Sequence, residues 1–196
     1  MVRTGDALFL AGQRAAHVHV IRRGAVKLVR SDEVGNHRIV RILTEGDIAG
    51  LEAFQSDRFE QSAVAANLVA SCRVPLGAFR AAINGHPAFR DAVLGNAFRA
   101  IRESELWLCE FTGGRYSSRC RVARLLVRLR VGETSLIHRL NLEDMGAILG
   151  LAQETVSRVI ADLVRRKVLI QVGRGRGNRR FAADLRLLEA IAAGAP

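Results

Sequence analysis

The chain has 196 residues, 49% of them hydrophobic, 25% charged and 5% aromatic, and a formal net charge of +11. That apolar content is enough to bury a sizeable core, and no run reaches the roughly 20 apolar residues of a membrane-spanning helix, so a cytoplasmic protein of two domains is expected. Cys72, Cys109 and Cys120 are odd in number and widely spaced, which excludes a disulfide framework and a metal cluster of Cys-x-x-Cys type.

From Ala7 to Phe79 short apolar runs recur between turn signals: 7–10, 18–21, 25–29, 38–43 and 68–74. Glycines at 12, 24, 35, 46 and 50 punctuate them at the spacing of an antiparallel sandwich or jelly roll. Residues Asp32 to Asn36 read as a hairpin loop. Past Pro75 a short helix is predicted over 76–83, and Pro87 opens a long one running to about Phe111. Along it Leu94, Phe98, Ile101 and Leu108, with Glu105 in the same row, form a short heptad stripe. The stripe fits a parallel two-helix dimer interface, and a helix packed on its own β domain would show it too. Gly113 and Gly114 then make a hinge, and the segment 116–129 returns to helical periodicity.

The C-terminal third carries the sharpest signal. Asn141 is a helix N-cap with Glu143 and Asp144 in the first turn, and Gly146 and Gly150 follow at the spacing of two tightly crossed helices joined by a positive-φ turn. A second helix starting at Leu151 or Ala152 presents Gln153, Glu154, Ser157 and Arg158 outward and Val156, Val159, Ile160 and Leu163 inward, the geometry of a helix entering the major groove. Segments 168–172 and 179–182 flank an Arg-rich turn and read as a β-hairpin wing. Between Gly113 and Arg180 there are 15 Arg and Lys against 5 Asp and Glu, so nearly all the excess positive charge lies in this stretch. A solvated basic face or an arginine-rich codon bias would give the same excess. Its coincidence with the two-helix pattern favours nucleic acid as the partner.

The run Leu151-Ala152-Gln153-Glu154-Thr155-Val156-Ser157-Arg158, with Asp144 to Gly150 before it and the segments 21–28 and 46–53 in the β half, resembles the Crp-Fnr superfamily of bacterial transcription regulators over essentially the full length. The resemblance implies an α+β architecture: a cyclic-nucleotide-binding-like β jelly roll over 1–84, a dimerisation helix over 85–112 and a winged helix-turn-helix DNA-binding domain over 113–196. It implies a homodimer on double-stranded DNA, in contact with RNA polymerase, acting as an activator with no membrane partner. Glu154, Ser157 and Arg158 are similar to the Fnr-type reader of TTGA and TCAA inverted repeats, with Gln153 beside them. Asn141, Thr155, Arg174, Arg176 and Arg179 would then meet the DNA backbone. That pairing also makes chemical sense, since a guanidinium fork matches guanine and a carboxylate accepts from cytosine.

For an effector the resemblance argues negatively. The turn at Gly50, Leu51 and Glu52 and the pair Gln61-Ser62 occupy the places where cyclic-nucleotide binders carry a ribose-holding Glu and an Arg-Ser phosphate clamp. Without an Arg at 61 a cyclic phosphate would enter unpaired, so cyclic AMP is not expected and no cofactor is predicted. Cys72 matches the last ligand of the oxygen-sensing branch, but the N-terminal cysteine group of that branch is missing, and Cys72 is expected to be a buried strand residue. Cys109 and Cys120 flank the hinge and leave a redox role open, and His17, His19 and His37 leave haem open. No catalytic motif is present, so an enzyme is not expected. The alternative to an effector-free regulator is a sensor whose β domain must bind a cyclic nucleotide, haem or another effector before DNA is bound.

Overall fold

A computed structural model describes residues 1–31, 37–111, 116–173 and 180–194, with the backbone alone at 31, 37 and 108–111. The chain divides into two compact units, Met1–Leu106 and Trp107–Pro196.

The first unit is a β-roll. Strands β1 (Ala7–Phe9), β2 (His17–Arg23), β3 (Val26–Ser31), β4 (His37–Leu43), β5 (Ile48–Ala49), β6 (Ser62–Ala65) and β7 (Ala70–Pro75) form two antiparallel sheets, ordered β1-β6-β3-β4 and β5-β2-β7. Their alternating apolar residues meet in one core that includes Phe9, Ile21, Val26, Leu28, Leu43, Ala63 and Val69, and stacked rings of Phe9 and Phe59 lie 3.8 Å apart. Each such large side chain withdrawn from water contributes about 1.5–3 kcal/mol. The five runs read as strands are all present. Strands β5 and β6 were not anticipated, and the expected hairpin loop at 32–36 lies outside the described residues, although β3 and β4 pair as its flanks should.

Cys72 corrects an expectation. It stands on β7 as expected, but it is exposed rather than buried. The reason is position: Cys72 stands opposite Val20 on the face of the sheet that carries Val18, Ile48 and Phe79, and that cluster takes in Val20 and Val74 without extending to Cys72.

Helix α1 (Leu76–Gly85) follows β7 directly, and helix α2 (Pro87–Phe111) begins at Pro87, whose missing N–H costs nothing in a first turn. A second cluster of Val18, Ile48 and Phe79, joined by Leu51, Phe54, Ile83 and Val93, packs the helices on the roll. Phe79 meets Phe54 and Phe89 edge-on at 5.8 and 5.4 Å. Further along α2, buried Asn96 donates from Nδ2 to the Gly46 carbonyl at 2.9 Å.

The second unit contains α3 (Ser118–Arg128), β8 (Leu136–His138), α4 (Leu142–Leu149), α5 (Gln153–Arg165), β9 (Leu169–Val172), β10 (Arg180–Ala183) and α6 (Leu185–Ala193), with an antiparallel sheet ordered β8-β10-β9. Ser117 caps α3 by accepting from the Cys120 N–H, and Asp184 caps α6 by accepting from the Leu187 N–H. The fully buried Leu125, Leu126, Met145, Leu149, Leu163 and Phe181 form the interior. The Ala192 carbonyl of α6 accepts from both Cys120 Sγ at 3.0 Å and Arg124 Nε at 2.8 Å, and the same Arg124 guanidinium lies 3.9 Å over the Tyr116 ring. The Gly113-Gly114 hinge and the tip of the wing at 174–179 fall outside the described residues.

Candidate nucleic-acid interface

The interface is assembled from α4, a three-residue turn and α5. Asn141 Oδ1 accepts from the Asp144 N–H at 2.6 Å, satisfying one of the open donors of α4, and the residue is exposed. Gly146 sits where α4 passes under the start of α5: a Cβ built there would lie 2.7 Å from the Leu151 carbonyl oxygen. The Leu151 N–H in turn donates to the Gly146 carbonyl at 3.0 Å. Gly150 closes α4 in the left-handed region at φ 59°, ψ 41°. Both glycines therefore do what their spacing requires.

Helix α5 begins after Ala152, which offers no side-chain cap. Its first two N–H groups leave the helix end without an acceptor inside it. Val156, Ile160 and Leu163 are buried, Val159 is half-buried, and Gln153, Glu154, Ser157 and Arg158 are exposed on the other face. Among the described residues no ion pair or side-chain hydrogen bond engages these four, so their polar groups are open to a ligand. Thr155 is half-buried beside them. The helix closes with a Schellman turn, in which the Val168 N–H reaches the Leu163 carbonyl and Lys167 takes φ 60°. Near this end Asp162 pairs with Arg165 and Arg166, and the hydrogen bond from Arg165 holds its carboxyl below the usual carboxylate range.

Arg139 was not anticipated. It leaves β8 two residues before the cap of α4, its guanidinium lies 5.3 Å over the Phe181 ring, and Nη1 donates to Gln171 Oε1 at 3.5 Å. A guanidinium held in this way has already lost much of its side-chain entropy, which favours phosphate contact. Of the expected backbone contacts, Arg174, Arg176 and Arg179 lie outside the described residues.

In the β unit, Gly50 adopts φ 86° at the start of a 3-10 turn carrying Leu51 and Glu52. Burial raises the Glu52 carboxyl above its usual range, and Gln61 hydrogen-bonds to it. Ser62 Oγ accepts from the Ala11 N–H at 3.0 Å. The nearby Arg30 is ion-paired with Glu60 at 2.8 Å. A phosphate placed here would meet a carboxyl, an amide and a hydroxyl already engaged within the chain. On α2, Leu94, Phe98 and Ile101 are 48%, 67% and 56% exposed and Glu105 is exposed, while the Leu108 side chain lies outside the described residues. His17 accepts from Arg73 Nη2 at 3.1 Å; His19 is buried 3.4 Å from Ser71 Oγ, and burial, with the positive Arg73 nearby, pulls its pKa down to about 4. The His37 and Cys109 side chains are outside the described residues, and among those described no three metal-binding side chains gather.

Comparison with known proteins agrees with this geometry. Residues 1–86 match the family model of the cyclic nucleotide-binding domain, and residues 120–191 match that of the Crp-like helix-turn-helix domain. The cyclic AMP receptor protein of Thermus thermophilus is 30% identical over 97% of this chain and 86% of its own length. The fumarate and nitrate reduction regulatory protein of Vibrio cholerae is 25% identical over 88% of this chain and 71% of its own. The solved structure of FixK2 from Bradyrhizobium japonicum shares the fold with a TM-score of 0.75 at 23% identity, covering 100% of this chain and 96% of that one. With a matched effector-type roll, a matched helix-turn-helix and relatives of this kind along its whole length, the chain belongs to the Crp-Fnr superfamily of DNA-binding transcription regulators.

Proposed function

We propose that the chain binds DNA as a homodimer on an inverted repeat with TTGA- and TCAA-like half-sites about one helical turn apart, and that it activates transcription in the cytoplasm through contact with RNA polymerase. The observation that carries this reading is the row Gln153, Glu154, Ser157 and Arg158, exposed together on α5 and free of intramolecular partners among the described residues. Arg158 is suited to guanine O6 and N7, Glu154 to cytosine N4, and Gln153 and Ser157 to neighbouring edges. Asn141 Nδ2, Thr155, the stacked Arg139 and the wing cations Arg174, Arg176 and Arg179 supply phosphate contacts, which set register and salt dependence. The stripe Leu94, Phe98, Ile101, Glu105 and Leu108 is the dimer seam, and its exposed apolar residues support that role. Two readers related by a twofold axis then demand a palindrome.

The engaged Gln61 and Ser62 support a regulator that needs no cyclic nucleotide. Selection of bound sequences from random duplexes, followed by gel shifts with and without cyclic nucleotides, tests the reading. A half-site unrelated to TTGA, or a non-palindromic site, refutes the assignment of base readers. Binding that appears only with an added small molecule establishes the sensor reading instead.

A further inference from the structure

Tyr116 stands just ahead of α3, and its ring is held although its backbone belongs to no helix. The cap of α3 is the next residue, Ser117: its Oγ accepts from the Cys120 N–H at 3.2 Å and its carbonyl accepts from the Arg121 N–H at 3.0 Å. A residue one place before a cap has no share in the helical ladder, and only its side chain can tie it down. Here the tie is Arg124, two turns further along α3, whose side chain points back toward the start of the helix as long helical side chains do. Its guanidinium carbon lies 3.9 Å from the centre of the half-buried Tyr116 ring.

The guanidinium is anchored at a second point. Arg124 Nε donates at 2.8 Å to the Ala192 carbonyl in the last turn of α6, and buried Cys120 Sγ donates to the same oxygen at 3.0 Å. Carbonyls of a last turn have no donor inside their own helix, and the negative end of the helix dipole favours a cation there. The end of α6 thus fixes Arg124, and Arg124 gives the Tyr116 ring a fixed surface to stack on. Such a contact is directional, since it needs the face of an aromatic ring.

The exposed stripe lies on α2, whose last residue is Phe111, and α5 lies beyond Tyr116, with residues 112–115 between. Were Tyr116 loose, the connection would run on to the capped Ser117 and gain one residue in each subunit. An extended residue adds about 3.5 Å, so a dimer would gain about 7 Å of reach, the rise of about two base pairs. Each base pair inserted between two half-sites also turns one against the other by about 34°. A pinned Tyr116 denies the dimer the slack to follow either change.

We infer that the Tyr116–Arg124 clasp is a specificity determinant that never touches DNA: by ending the connection at Tyr116 it fixes the spacing of half-sites that the dimer accepts. This rests on the reading of the chain as a homodimer on an inverted repeat. Tyr116 and Arg124 are positioning residues in it and act through the placement of the two α5 helices.

The test uses the full chain and a series of duplexes that carry the selected half-sites at the selected spacing and at one or two base pairs more or fewer. Fluorescence anisotropy gives the affinity for each, and circular dichroism and thermal melting report on folding. A spacing that keeps the second reader off its half-site forfeits the gain from divalent binding, so the wild type should lose about tenfold or more at each altered spacing. Tyr116→Leu, which keeps apolar bulk without a ring, and Arg124→Met, which keeps the stem without the charge, should bind the selected spacing nearly as well as the wild type and lose only about threefold at the others. Tyr116→Phe keeps the ring and should retain the wild-type profile. Discrimination against a substituted half-site should be the same in all four proteins. A wild-type spacing profile in Tyr116→Leu overturns the inference, even if Arg124→Met fails to fold. So does a uniform loss at every spacing in Tyr116→Leu, the mark of a purely structural contact, and so does a Tyr116→Phe variant as tolerant as Tyr116→Leu. A wild-type chain that selects the half-sites but accepts every spacing overturns the inference and leaves the base readers standing, whereas a wild-type chain indifferent to sequence removes the DNA reading and the inference with it.

Discussion

Substituting alanine for Gly146 inserts one methyl group where the two helices of the reader cross. That methyl would meet the Leu151 carbonyl oxygen at 2.7 Å and the Gln153 nitrogen at 3.8 Å. An ordinary contact needs about 3.4 Å or more, so α4 and the start of α5 must separate by about 0.7 Å, and the obstructing atom is backbone that cannot rotate aside. Overpacking of this kind costs about 1–3 kcal/mol, partly offset by the 0.5–1 kcal/mol that Ala gains over Gly in a helix. Urea denaturation of Gly146→Ala should therefore show a net loss of up to about 2.5 kcal/mol. DNA binding should suffer more than stability, because displacing α5 misaligns Gln153, Glu154, Ser157 and Arg158 together. A loss of two base contacts corresponds to a fall of well over tenfold in affinity, read by anisotropy on the selected duplex. Gly77→Ala on α1 is the control, since nothing lies within 4 Å of a Cβ there. It should leave DNA binding unchanged and raise stability slightly. If Gly146→Ala behaves like Gly77→Ala in both measurements, the account of the crossing is wrong.

Arg158→Ala should lose about 1–3 kcal/mol and tolerate substitution at one guanine, whereas Arg174→Ala and Arg176→Ala should weaken all duplexes alike and flatten the salt dependence; competition with point-substituted duplexes at several ionic strengths separates the two. Phe98→Asp places a charge at the centre of the exposed stripe of α2 and should produce a monomer by sedimentation with its circular dichroism spectrum retained. His19 gives a pH dependence with a definite sign. Its folded pKa, about 4, lies below the ordinary 6.5, so the unfolded chain takes up a proton first and stability falls as pH drops through that window. The loss at pH 5 relative to pH 7 is at most about 2 kcal/mol, and comparison of urea midpoints for the wild type and His19→Gln should show it vanish in the variant.

The reader was legible because its demands are local. Gly146, Gly150 and Asn141 are required by contacts within a dozen residues, and the exposed row on α5 follows from helical period alone. Long strands with β-branched alternation were legible for the same reason. Strand β6 was not: Ser62, Ala63, Val64 and Ala65 have little intrinsic preference for a strand and become one because β1 and β3 flank them on both sides. Strand β8 is three residues long, too short to show a period. Arg139 acquires its interest from Phe181 and Gln171, more than thirty residues away along the chain. Cys72 stands on the expected strand but is exposed, since a pattern does not tell how far along a strand the packed cluster extends.

The clasp that stacks Arg124 on Tyr116 while holding the Ala192 carbonyl has an optical consequence. The chain contains one tryptophan and one tyrosine, Trp107 and Tyr116, and they stand on either side of residues 112–115. Trp107 is buried, and the Tyr116 ring lies 3.9 Å from a guanidinium that also carries the end of α6. Intrinsic emission from this protein therefore originates at the junction where its two units meet along the chain. A change in that emission on adding duplex reports on the connection itself, with no label required.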